Sequence, residues 1–227
     1  MKKFFCWTLI LFVAFCAYGM DEAEKAEFSY AFGILIGTDL VDMGIEFDYD
    51  AFIQGFREVM ENEESRYSVN EAIEIISAVF DTLQSEIADY NLSAGEAFLA
   101  ENMTRPEVSV TPSGLQYEII SEGSGERPGI ADTVLVHYEG TTIDGDVFDS
   151  TYEFGEPIEM PLFRVIPGWS EGLRLMKEGG RAKLYIPPDL AYGSYGAGGL
   201  IGPNTVLIFD VELLSIVPSQ IIINDRE

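Results

Sequence analysis

Few side chains in this sequence could do covalent or metal chemistry. His137 is the only histidine, and the two cysteines, Cys6 and Cys16, both sit near the start of the chain. A Ser-His-Asp triad, a Cys-His dyad and a His/Cys metal site each lack parts unless His137 acts as a single base. His137 alternates with Tyr138 along a β-rich run, so the two point to opposite faces of a strand. That makes His137 a structural residue. What the second half offers instead is aromatic: Tyr138, Phe148, Trp169, Tyr192 and Phe209, with one carboxylate, Asp149, directly after Phe148. Taken alone, Trp169, Phe209 and Val165 read as core, and Asp149 as a turn or cap residue.

The elements that must position these residues are strands. Thr133-Val134-Leu135-Val136-His137-Tyr138-Glu139-Gly140 is one, Asp144-Gly145 is a hairpin turn after it, and Val206 to Leu214 is a second long strand. Pro167 to Met176 is the one short helical candidate of this half, with Trp169, Leu173 and Met176 on one side. The pattern predicts an α+β domain, an antiparallel sheet wrapped around one short helix.

The first half is helical. Phe28, Phe32, Leu35 and Ile36 recur at helical spacing, Asp48 caps a second helix bearing Phe52, Phe56, Val59 and Met60, and Ser68-Val69-Asn70-Glu71 is a capping box opening a third. Ile76, Phe80, Leu83, Ile87, Tyr90, Ala94 and Ala97 then step by four and three, a coiled-coil-like seam. A seam this long predicts packing against another chain, although one face of an ordinary buried helix has the same pattern. A second capping box, Ser93-Ala94-Gly95-Glu96, leaves open a break at that point. The stretch 106–111 carries no helical period and reads as a linker or an extended lead-in.

Lys2 and Lys3, the apolar run Phe4 to Phe15 and Ala17-Tyr18-Gly19 form a secretory signal peptide over 1–19. A lipidated Cys16 is the rival reading, and bulky Phe15 just before it argues against that. The net charge of −26 excludes nucleic acid as a natural partner, because such a chain repels phosphate backbones.

At this point the residues resemble a known family. Val136-His137-Tyr138-Glu139-Gly140, Phe148-Asp149-Ser150, Val165-Ile166-Pro167-Gly168-Trp169, Ile186-Pro187-Pro188-Asp189-Leu190-Ala191-Tyr192-Gly193 and Leu207 to Leu214 follow the order and spacing of the FK506-binding (FKBP) peptidyl-prolyl isomerases. Phe28-Ser29-Tyr30-Ala31-Phe32-Gly33, Gly95 to Asn102 and Pro112 to Tyr117 are similar to the bacterial Mip/FkpA-type subgroup, in which a helical dimerisation domain precedes the isomerase domain. The resemblance implies a division into signal peptide 1–19, helical dimerisation domain 20–105, linker 106–111, isomerase domain 112–217 and tail 218–227. It implies cis-trans isomerisation of X-Pro bonds in a pocket walled by Tyr138, Phe148 and Phe209, with Val165, Ile166 and Ile158 beside them. Trp169 is the floor, Leu200 and Ile201 line the loop side, and the Ile166 N–H and Tyr192 hydroxyl hold substrate carbonyls. Asp149 orients the twisting amide. No cofactor or metal is implied.

Three departures from the family pattern stand out. Ile158 replaces a frequent aromatic residue, the stretch Met160 to Arg164 is short, and Ala197 replaces a frequent histidine. The expected protein is a homodimer through its N-terminal helices, exported to a bacterial periplasm, with attachment to the outer membrane left open. It acts on partly folded exported proteins and is inhibited by FK506 or rapamycin. A chaperone, or a proline-peptide binding module with secondary isomerase activity, is the alternative.

Overall fold

The computed structural model describes residues 20–42, 47–198 and 200–217. The stretch 1–19 expected to be a signal peptide, with both cysteines, and the tail 218–227 lie outside the described residues. The chain divides into two compact units, Met1–Glu71 and Ala72–Glu227.

The first unit holds α1 (Glu22–Asp42) and α2 (Tyr49–Met60). Asp21 starts α1, its carboxylate accepting from the Ala23 and Glu24 amides at 2.8 and 2.9 Å. Asp48 starts α2 in the same way, at 3.1 and 3.0 Å from the Asp50 and Ala51 amides. The third helix, α3 (Val69–Asn102), opens on the capping box read from sequence: the Ser68 amide donates to Glu71 Oε2 and the Glu71 amide to Ser68 Oγ. Its 34 residues run without a break. The second box does not interrupt it, because the Ser93 hydroxyl donates back to the Tyr90 carbonyl within the helix. The division between units falls inside α3, whereas the sequence reading divides the chain at 106–111.

The second unit is built on an antiparallel sheet ordered β1-β2-β6-β7-β3-β4, with β5 paired to the first half of β3 on the same edge as β4. The strands are β1 (Ser109–Val110), β2 (Gln116–Ser121), β3 (Thr133–Thr141), β4 (Val147–Ser150), β5 (Ile158–Pro161), β6 (Arg181–Ile186) and β7 (Leu207–Val217). Part of the stretch 106–111 is thus an edge strand. β3 and β7 are the long central pair and set Gly140 opposite Phe209. Residues alternate in burial along β3, so Val134, Val136 and Tyr138 face the core. His137 lies on the other face, stacked on Tyr152 with ring centroids 4.9 Å apart.

α4 (Pro167–Leu175) has proline at its first position, where no N–H is needed, and packs on β6. Leu115, Val134, Val136, Leu162, Leu173, Leu184, Ile186, Leu207, Val211 and Leu213 form a sealed core between helix and sheet.

Behind the sheet, Arg105 joins several partners. Its guanidinium donates to Asn102 Oδ1 and the Tyr185 hydroxyl, both at 3.0 Å, and to Glu107 and Glu118 at 2.7 Å. Asn102 Nδ2 donates to Gln116 Oε1 at 2.8 Å. These bonds seat the end of α3 against β2 and β6.

Candidate active site

The long strands bring Tyr138 and Phe209 to one end of the core, and β4 adds Phe148 and Asp149. The turn 162–164 and the start of α4 supply Val165, Ile166 and Trp169. The two loops after β6 supply Tyr192, Ala197, Gly198, Leu200 and Ile201. Together they line a cleft of about 430 Å³.

Its floor is a set of rings meeting edge to face. Trp169 lies 4.9 Å from Tyr138 and 5.0 Å from Phe209, and Phe148 lies 5.4 Å from Phe209. Such pairs contribute roughly 0.5–1.5 kcal/mol each beyond their area. Gly140 makes the set possible: a Cβ there would stand 2.6 Å from Phe148 Cζ and 2.9 Å from Phe209 Cε1. Tyr138, Trp169 and Phe209 are 3–5% exposed, so the floor is closely packed. The Trp169 Nε1 is buried and has no hydrogen-bond partner among the described residues.

The rim is polar and open. The Tyr138 hydroxyl donates to Asp149 Oδ2 at 2.5 Å, and Asp149 itself is exposed. Burial first, then the bond to Asp149 and its charge, push the Tyr138 hydroxyl well above the ordinary tyrosine range. That hydroxyl therefore stays protonated and remains a donor at neutral pH. Among the described residues neither the Ile166 N–H nor the Tyr192 hydroxyl donates to a protein group, and both belong to residues lining the cleft. They are available to carbonyl oxygens of a bound chain.

Ten of the eleven residues expected from sequence line this cleft: Tyr138, Phe148, Asp149, Val165, Ile166, Trp169, Tyr192, Leu200, Ile201 and Phe209. Ile158 does not. It pairs with Val136 and packs, partly buried, against the core without reaching the cleft. Two residues further along β5, on the same side of the strand, Met160 takes the place expected of it. Arg164, Ala197 and Gly198 also line the cleft, and no sequence argument picked them out as lining residues. Arg164 could have been found from its position one residue before Val165.

Antiparallel sheet and one short helix thus close on an aromatic cleft with a polar rim. The family described as FKBP-type peptidyl-prolyl cis-trans isomerase matches residues 124–214, and the domain amino terminal to FKBP-type peptidyl-prolyl isomerase matches 25–119. The chain belongs to the FKBP-type peptidyl-prolyl cis-trans isomerases, with the amino-terminal domain that accompanies them.

Among its relatives is the probable FKBP-type peptidyl-prolyl cis-trans isomerase FkpA of Neisseria meningitidis, 43% identical over 198 residues, covering 83% of this chain and 73% of that one. Another is the outer membrane protein MIP of Legionella longbeachae, 39% identical over 200 residues, covering 85% and 86%. The crystal structure of FkpA from Escherichia coli aligns with a TM-score of 0.67 at 36% identity, covering 87% of this chain and 98% of that one.

Proposed function

We propose that the enzyme speeds X-Pro isomerisation in proteins outside the cytoplasm by holding the proline on its aromatic floor and stabilising the twisted amide. The barrier is about 18–20 kcal/mol and arises from amide resonance. Left alone, the exchange takes tens of seconds or longer. The twisted transition state has lost that resonance and is less polar at oxygen. A dry apolar cleft disfavours the planar amide more than the twisted one, which is differential binding of the transition state. Lowering the barrier by about 5–7 kcal/mol gives roughly four to five decades in rate.

In this reading Trp169 carries the proline ring, and Tyr138, Phe148 and Phe209 wall it. Val165, Leu200 and Ile201 cover its flanks. The Ile166 N–H and Tyr192 hydroxyl take substrate carbonyls, and Asp149 orients the amide through its charge. The observation that carries the reading is the junction of a sealed aromatic floor with a rim bearing Asp149, bonded to Tyr138.

The chain acts as a homodimer through its N-terminal helices. Support comes from the seam on α3, where Ile76, Phe80, Leu83, Ile87 and Tyr90 are all exposed. A symmetric partner covers such a face. The lysine-led apolar leader and the name of the Legionella relative support a location in or beyond the periplasm.

A protease-coupled assay on a short prolyl peptide tests the reading. Turnover well above the spontaneous rate, abolished by FK506, is the expected result. Folded protein that leaves the spontaneous rate unchanged removes it.

A further inference from the structure

We infer that the stretch of α3 from Ala88 to Gly95 is a working part of the isomerase, and that Asn91 is a positioning residue for the loop that forms one wall of the cleft. The inference rests on the reading of the cleft given above. Asn91 Nδ2 donates to the Pro203 carbonyl at 2.8 Å and to Thr205 Oγ1 at 3.3 Å. In return, Asn204 Nδ2 donates to the Ala88 carbonyl at 3.2 Å. Two asparagines thus clasp the helix to the loop in both directions.

The approach is close along the whole contact. A Cβ on Gly95 would stand 2.7 Å from Val206 Cγ2, and one on Gly202 would stand 3.0 Å from Asn91 Nδ2. The helix residues involved, Ala88, Asn91 and Gly95, are three and four apart and share one face.

The clasp reaches both loop walls of the cleft. On one side, the loop closes on itself through mutual Ala197 and Ile201 backbone bonds at 2.8 and 3.0 Å, and it carries Leu200 and Ile201 into the cleft. Leu200 also borders a smaller cavity of about 180 Å³ that Ile87 and Asn91 line, so only the loop separates the helix from the cleft. On the other side, the Asn204 amide donates to the Gly193 carbonyl at 2.8 Å, next to Tyr192. Asn204 holds this geometry at a φ of 55°, in the left-handed region that asparagine tolerates better than most residues. The loop is otherwise outside the sheet ladders. Its place is set from the helix.

A wall that touches the proline equally in ground and transition states affects KM and leaves kcat alone. The test uses the full chain and four variants. Asn91→Ala removes the donor from the helix side. Asn204→Gly removes it from the loop side and keeps the backbone free to hold a positive φ, so the inference does not depend on one variant folding. Asn102→Ala breaks the bond to Gln116, far from the cleft, and serves as control.

The expected result is a KM raised about three- to tenfold in Asn91→Ala and in Asn204→Gly, the range of one lost hydrogen bond, with kcat within about twofold. The double variant should be no worse than the worse single. Asn102→Ala should lower the melting temperature and leave KM unchanged. Amide exchange gives a readout independent of activity: Ala197, Ile201 and Asn204 should lose protection in both clasp variants while β3 and β7 keep theirs. Unchanged KM in both clasp variants, or loop amides that stay protected, overturns the inference. So does an equal KM effect from Asn102→Ala. If wild-type protein fails to turn over the peptide, the reading of the cleft falls, and the exchange data still decide the clasp.

Discussion

The bond between Tyr138 and Asp149 gives a sharp test of how the rim works. Tyr138→Phe deletes one hydroxyl and keeps the ring, with its 4.9 Å edge contact to Trp169. A hydrogen bond to a charged acceptor contributes about 1.5–3 kcal/mol when sheltered. Here the donor is buried but the acceptor is exposed, so solvent screening reduces that to about 1–1.5 kcal/mol. If Tyr138 acts by aiming Asp149, its loss costs about five- to tenfold in kcat/KM. Asp149→Asn removes the charge itself and costs more, about thirtyfold. The double variant should then match Asp149→Asn within about twofold, because a hydroxyl with nothing to aim has no further effect. The protease-coupled assay measures all four proteins on one peptide. Additive losses would refute the reasoning and mean that the hydroxyl acts on substrate independently of the carboxylate. The pH–rate profile should show no Tyr138 titration below about pH 10, since burial and Asp149 hold that proton.

Trp169→Leu should weaken proline-ligand binding and cost about 2–4 kcal/mol of stability in urea melts, since it opens a cavity and ends two edge-to-face contacts. Stability should also fall as pH rises above about 10, because the unfolded chain releases the tyrosine proton there while folded Tyr138 retains it. Below that pH the contribution is fully present, and Tyr138→Phe should flatten the decline above about pH 10 in denaturation midpoints. Replacing Phe80 and Leu83 together by lysine should turn a dimer into a monomer in sedimentation equilibrium. A wild-type monomer at micromolar concentration would remove the dimer from the proposal.

Much of this was legible in the residues. Asp48 and the Ser68–Glu71 box mark helix starts because capping is local chemistry, decided within four residues. Tyr138 and His137 separate onto two faces because strand alternation is geometric. The gathering of ten cleft residues from distant stretches followed from resemblance, since neither periodicity nor composition relates Phe148 to Phe209. Ile158 and Met160 show the limit: both lie on one side of β5 and both pack against the core, and no local pattern tells which of the two also reaches the cleft. The second capping box failed as a stop signal because packing of residues 88–102 against the rest of the second unit favours an unbroken helix. Asn91, Gly95 and Asn102 left no hydrophobic signature at all. Their contacts are polar or depend on a missing side chain, so a search for apolar stripes passes over them.

The point where the two compact units part, between Glu71 and Ala72, bears on how this catalyst could be transplanted. A chimera joined in the stretch 106–111 would carry the sheet and its rings to a new host but leave behind the helix that Pro203, Asn204, Thr205 and Val206 lean on. The graft would fold around its core with one wall unsupported. A junction inside the helix, upstream of Ala88, moves wall and support together. By that measure the portable cassette begins in the middle of a helix; only a stalk joined at 106–111 would itself have to supply an asparagine and a glycine four residues apart, in phase with that loop.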